Sequence, residues 1–229
     1  MKKAFLLLAF SLQAMHAQVP TDAPAATALA VRPLEIGAFF QGGLGVGDRS
    51  DFKFTSAGVR LGRVLTNPHL PGLLRGQFEY AGELMPYWQS FTPAPAFHEV
   101  AYTFDGQSGH ILEPYNGGTF SGVSVTPIIL RWDLHPGRRL APFVQGAGGL
   151  IWTNHKFPPD IIVPAGTPGR TSVWNFTPQF GIGAHYFLKP RRSIDLSANA
   201  IHISSASLGD RNPGVNASVQ FQIGYSWWK

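Results

Sequence analysis

The stretch Ala217-Ser-Val-Gln-Phe-Gln-Ile-Gly-Tyr-Ser-Trp-Trp228 alternates without a break. Ala217, Val219, Phe221, Ile223, Tyr225 and Trp227 fall on one side, and Ser218, Gln220, Gln222, Gly224 and Ser226 on the other. Successive side chains leave a strand on opposite faces, so period two identifies a strand, here one with an apolar face and an amide-rich face. Such a strand fits a barrel in lipid with a polar lumen, or a soluble lipid-binding barrel turned the other way. Side-chain bulk favours the first, because the interior of an eight-stranded barrel is just wide enough to be filled by side chains and the large rings are better placed outside. The aromatic finish of Tyr225, Trp227 and Trp228 is expected to form an interfacial girdle.

The same inversion recurs upstream. Near 172–188, Trp174, Phe176, Phe180, Ile182 and Tyr186 alternate with Asn175, Thr177, Gln179, Gly181, Gly183 and His185. Further period-two segments near 34–47, 52–65, 74–88, 122–135, 140–154 and 193–205 make eight strands of a length that crosses a membrane at a tilt. An even number lets an up-and-down barrel close with both termini on one side. Asn67 to Leu73, Pro136 to Arg139 and Lys189 to Arg192 read as tight turns, whereas Gln89 to Ser121, His155 to Arg170 and Ala206 to Val215 read as long loops. Short turns on one rim and long loops on the other are the pattern of an outer-membrane barrel. The expected fold class is therefore all-β, an eight-stranded antiparallel transmembrane β-barrel of the outer-membrane type, over residues 34–229.

The N-terminus sets the compartment. Lys2 and Lys3 precede an apolar run from Ala4 to Leu12, too short to span a bilayer but suited to a signal peptide's core. Residues 1–17 are expected to be a signal peptide cleaved after Ala17, although Met15 stands where a small residue is the rule, and residues 18–33 a flexible lead-in rich in Ala, Pro and Thr. The chain has no cysteine, which excludes disulfides and thiolate metal sites. Its net charge of +5 is modest and dispersed, so nucleic acid is not an expected partner.

One strand breaks its own pattern. Ile194, Leu196, Ala198 and Ala200 lie on an apolar face that His202 and Ser204 continue, at the long-loop rim. Polar residues at the edge of a lipid-facing surface have two explanations. They either meet headgroups and water, or they carry chemistry, since a hydroxyl becomes a useful nucleophile once a neighbouring imidazole takes its proton.

The stretch Ala200-Ile-His-Ile-Ser-Ser-Ala-Ser-Leu-Gly-Asp-Arg-Asn-Pro-Gly-Val-Asn216 resembles the C-terminal motif of the PagL-type lipid A 3-O-deacylases, which are eight-stranded outer-membrane barrels. In that family a His-x-Ser-Asn motif, an Asn-x-Gly turn and then an acid supply the catalytic triad. The resemblance implies His202 as general base and Ser204 as nucleophile. It implies Asn212 as an oxyanion-hole residue, with the backbone N–H groups of Ala206 and Ser207 as further donors. Two positions depart from the motif: Ser205 stands in place of Asn, and Asn216 in place of the acid. Asn216 is the expected third member, since an amide oxygen can fix an imidazole tautomer without adding charge; Asp210 is the alternative. What the resemblance implies is an integral outer-membrane serine esterase acting on lipid A or lipopolysaccharide from near the outer leaflet, with no cofactor and no metal. Arg170 and Arg211 are available to meet lipid phosphates. The competing expectation is a non-catalytic, OmpA-like structural or adhesion barrel.

Elsewhere the sequence is less specific. His98, Glu99 and His110 lie in the longest loop without a recognised metal-ligand spacing. Glu35, Arg60, Glu79, Glu83, Arg131, Asp133 and Asp195 fall within strands and read as a paired network filling a narrow lumen, with His185 hydrogen-bonded among Gln and Asn side chains. Gly42-Gly-Leu-Gly-Val-Gly47 is followed by no helix and no Lys-Ser/Thr, so it is not a phosphate loop and reads as a strand that bends or packs closely.

Overall fold

A computed structural model describes residues 23–94, 96–115, 117–134, 136, 139–159, 171–206, 208 and 216–229. In chain order the elements are α1 (Pro24–Leu29), β1 (Leu34–Gly45), β2 (Lys53–Val64), β3 (Gly76–Phe91), β4 (Ala96–Phe104), β5 (Gln107–Tyr115), β6 (Thr119–Leu134), β7 (Leu140–Phe157), β8 (Ser172–Phe176), β9 (Gln179–Lys189), β10 (Arg192–His202) and β11 (Ala217–Trp228). Eight of the strands close an antiparallel barrel in the order β6-β3-β2-β1-β11-β10-β9-β7, with β7 returning to β6. Closure brings the two ends of the barrel together: Leu34 and Lys229 exchange both backbone hydrogen bonds. At Gly43 the Val219 carbonyl and the Gln220 backbone of β11 pass so close that a Cβ would collide with them, which accounts for glycine there.

The faces fall as the alternation requires. Along β11, Ser218, Gln220, Gln222 and Ser226 are buried in the lumen, while Val219, Phe221, Ile223 and Trp227 are on the outside. Trp228 corrects the expected girdle. Parity turns it inward, and its indole N–H donates to Ser193 Oγ within the lumen.

Three elements differ from the sequence expectation. The strand near 172–188 is two pieces, β8 and β9, because Pro178 has no N–H to donate and the ladder is interrupted around it. The loop Gln89 to Ser121 contains a hairpin, β4 and β5, which forms a separate two-stranded sheet. The lead-in is not loose where it is described: α1 packs Ala25, Ala28 and Leu29 against Val64, Ala141, Phe187 and Trp228 at the termini end of the lumen. A six-residue helix is shorter than the window over which helical periodicity can be read. The expected signal peptide lies outside the described residues.

The lumen is layered. Above the α1 cluster lie Glu35, Arg60, Glu79, Glu83, Arg131, Asp133, His185 and Asp195, all buried. Arg131 Nη1 donates to Glu35 Oε2 and Glu79 Oε2, each at 3.1 Å, and Arg60 donates to Glu83. The network expected within the strands is therefore present. His185 differs in its partners, meeting Asp195 and Arg131 rather than amides. Toward the long-loop rim the lumen turns apolar, with the Phe157 ring 5.3–6.4 Å from the rings of Phe52, Phe54, Trp88 and Phe120.

Candidate functional site

The end of β10 is held from both sides. His202 N–H donates to the Pro178 carbonyl at 3.0 Å, the position where the neighbouring strand breaks. Ser204 then exchanges both backbone hydrogen bonds with Phe176 of β8, at 2.7 and 3.0 Å. On the other side Ile203 N–H donates to the Asn216 carbonyl at 2.9 Å. Beneath this backbone Ile201 and Ile203 point inward into the cluster around Phe157. Strand pairing and an apolar anchor thus fix a backbone from which His202 and Ser204 project on the opposite, outward face, both half-buried.

The chain turns immediately after Ser204. Ala206 adopts φ +45°, a left-handed conformation that costs a residue with a Cβ about 1–2 kcal/mol. Leu208 N–H closes the turn on the Ser205 carbonyl at 2.8 Å. In this conformation Ala206 N–H donates to Ser204 Oγ at 3.2 Å. Ser205 is fully buried.

Asn216 does not join His202. It is the cross-strand neighbour of inward-facing Ile203, it is only 1% exposed, and neither atom of its amide group has a hydrogen-bond partner among the described residues. The sheet itself separates it from the imidazole. Ser207, Asp210, Asn212, Arg170 and Arg211 lie outside the described residues.

Below the His202–Ser204 face is a feature the sequence reading missed. An apolar groove of about 750 Å³ lies across β7, β9, β10 and β11, lined by Val144, Ile182, Ala184, Leu196, Ala198 and Ile223 among others. Its lining includes the small residues Ala184 and Ala198 beside the larger Leu196, Ile182 and Ile223. Ala198 lies four residues down the strand from His202, about 13 Å away.

The sequence profile of the family described as lipid A 3-O-deacylase (PagL) matches residues 80–226, more than half the chain and the whole of the His202–Ser204 region. This chain belongs to the lipid A 3-O-deacylase family. Among solved structures, the outer membrane enzyme PagL aligns at 15% identity over 83% of this chain and 97% of that one, with a TM-score of 0.42. Neisserial surface protein A aligns at 11% identity over 85% and 96%, with a TM-score of 0.48. The N-terminal β-barrel domain of Pseudomonas aeruginosa OprF aligns at 12% identity over 86% and 98%, with a TM-score of 0.46. No curated protein matches the sequence. This PagL-family chain is an integral outer-membrane barrel. In the β4–β5 hairpin, Glu99 and His110 form an exposed pair at 3.6 Å.

Proposed function

We propose that this chain is an outer-membrane serine esterase that removes an ester-linked acyl chain from lipid A, exported by a signal peptide at residues 1–17. The observation that carries the reading is the outward projection of His202 and Ser204 together at the long-loop rim, within the span matched by the deacylase family. A membrane lipid approaches such a barrel from outside, so a nucleophile on the outer face meets an ester that a lumenal one would never reach.

Ser204 Oγ attacks the ester carbonyl while His202 takes its proton. The carbonyl oxygen becomes an oxyanion, to which the Ala206 N–H, Asn212 and the Ser207 N–H donate. Removing one such donor costs other hydrolases about 100–1,000-fold in rate. Collapse returns the proton from imidazolium to the departing lipid A hydroxyl, and water then releases the fatty acid from Ser204. The groove around Ala184 and Ala198 lies on the same outer surface as Ser204, and an acyl chain lying in it would leave the ester at the rim near the outer leaflet. Since Asn216 faces the lumen, the acid behind His202 is assigned to Asp210.

The test is mass spectrometry of lipid A from cells expressing the chain. Wild type should lose the mass of one ester-linked acyl chain, and Ser204→Ala and His202→Ala should each leave lipid A intact while the barrel still shows heat-modifiable mobility. Wild-type deacylation by either variant would remove the Ser-His assignment.

A further inference from the structure

The lumen holds more carboxyl groups than guanidinium groups. Among the described residues, the carboxylates of Glu35, Glu79, Glu83, Asp133 and Asp195 are buried there against the guanidinium groups of Arg60 and Arg131. Most of these carboxylates have partners. Glu83 accepts from Arg60 and Gln222, Glu35 from Arg131 and Ser226, and Asp195 from Ser193, Ser226 and His185.

Asp133 is different. Neither of its oxygens has a hydrogen-bond partner among the described residues, and Glu79 Oε1 has none either, although both side chains are completely buried. A buried polar oxygen without a partner is costly, so these oxygens mark where compensation is missing. The residues that carry them converge with a third donor: one ligand atom each from Glu79, Asp133 and His185 lie within 4.8 Å of one another. A second grouping, Glu35 with His185 and Asp195, has the same spacing, but its carboxylates are already engaged.

His185 is prearranged for ligation. Its Nδ1 lies 2.7 Å from Asp195 Oδ1, and a carboxylate accepts, so Nδ1 carries the proton and Nε2 keeps a lone pair, which accepts from Arg131 Nη1 and lies 3.9 Å from Asp133 Oδ1. A carboxylate behind an imidazole is the arrangement that orients metal-binding histidines.

We propose that Glu79, Asp133 and His185 bind a divalent cation of the zinc class, clamping β3, β6 and β9 together. Two carboxylates and one imidazole suit zinc-class ions, with water completing a tetrahedral shell. Bonds of about 2.0–2.2 Å require the donors to draw in by about half an ångström or somewhat more. Arg131 Nη1 lies 3.2 Å from His185 Nε2, and ligation replaces that contact. Arg131 keeps Glu35, Glu79 Oε2 and Gln145 as acceptors. The three ligands come from three strands far apart in sequence, so no motif announces them.

The experiment uses the full barrel refolded in detergent with Zn²⁺, dialysed, and assayed for bound zinc and for urea resistance with and without chelator. Wild type and Ser204→Ala should each retain close to one equivalent and unfold at higher urea than after chelation. Asp133→Asn and His185→Gln should retain background zinc and show no chelator effect. Co²⁺ gives a second readout, since tetrahedral ligation produces strong visible absorbance that Glu79→Gln should also abolish if the other variants fail to fold. Background zinc in wild type overturns the proposal, as does equal zinc in wild type and the variants. So would an Asp133→Asn barrel as stable as the zinc-loaded wild type, because the orphan oxygens would then be satisfied by a proton.

Discussion

Between His202 and Asn216 lies the thickness of a β-sheet. A side chain's face is set by register, and Asn216, paired with inward-facing Ile203, has the wrong parity to meet an outward imidazole. That parity was legible in the sequence, where Asn216 shares the alternate set of Ser218 and Gln220; the motif alignment pointed the other way. A motif gives spacing along the chain and says nothing of the residue at which regular pairing begins. The consequence is measurable. Asn216→Ala should leave single-turnover deacylation within about twofold of wild type, and deleting a buried amide with unmet hydrogen bonds should stabilise the barrel by about 1 kcal/mol or leave it unchanged. Asp210→Ala should slow the same reaction severalfold or more. Reversal of that order would show Asn216 turning outward when substrate binds.

At the scale of elements, the period-two pattern placed the eight barrel strands within a few residues, because each long strand repeats its inversion many times. What it missed is short or interrupted. Pro178 breaks a strand, the β4–β5 hairpin lies inside a loop, and α1 is only six residues long. The lipid-facing assignment of β11 makes Phe221, 66% exposed beside Ala198 and Gly42, a sensitive position. Phe221→Lys should weaken assembly by about 2–4 kcal/mol if the site lies near the bilayer midplane, read from urea-dependent folding into vesicles. The groove is tested from its floor: Ala198→Phe should fold, since its side chain faces lipid, yet slow release of long acyl chains more than short ones. Equal slowing for both lengths would separate the groove from substrate.

The whole molecule is a polar layer held between two apolar ones. The α1 cluster fills the termini end, the rings around Phe157 fill the long-loop end, and between them Arg131 is the central cation, completely buried. Its guanidinium meets Glu35, Glu79, Gln145 and His185 and lies 4.3 Å from the centre of the Phe143 ring, so it joins β6 to β1, β3, β7 and β9 by polar and ring contacts. Replacing one member of such a buried network strands the others, which is why loss of a single partner typically costs about 3–5 kcal/mol even where the intact network adds little net stability. Arg131→Met keeps much of the side chain's volume and removes only the charge and its donors. It should therefore shift the urea midpoint strongly downward, and the double variant Arg131→Met/Glu79→Gln should recover part of the loss by removing one stranded carboxylate. Deacylation per folded molecule should be unchanged in both, because Ser204 and His202 are positioned by Phe176, Pro178 and the Phe157 cluster rather than by the charged layer. If activity fell in proportion to stability in fully folded samples, the catalytic face and the lumen would be coupled through the barrel wall, and the rim could not be treated as an independently anchored site.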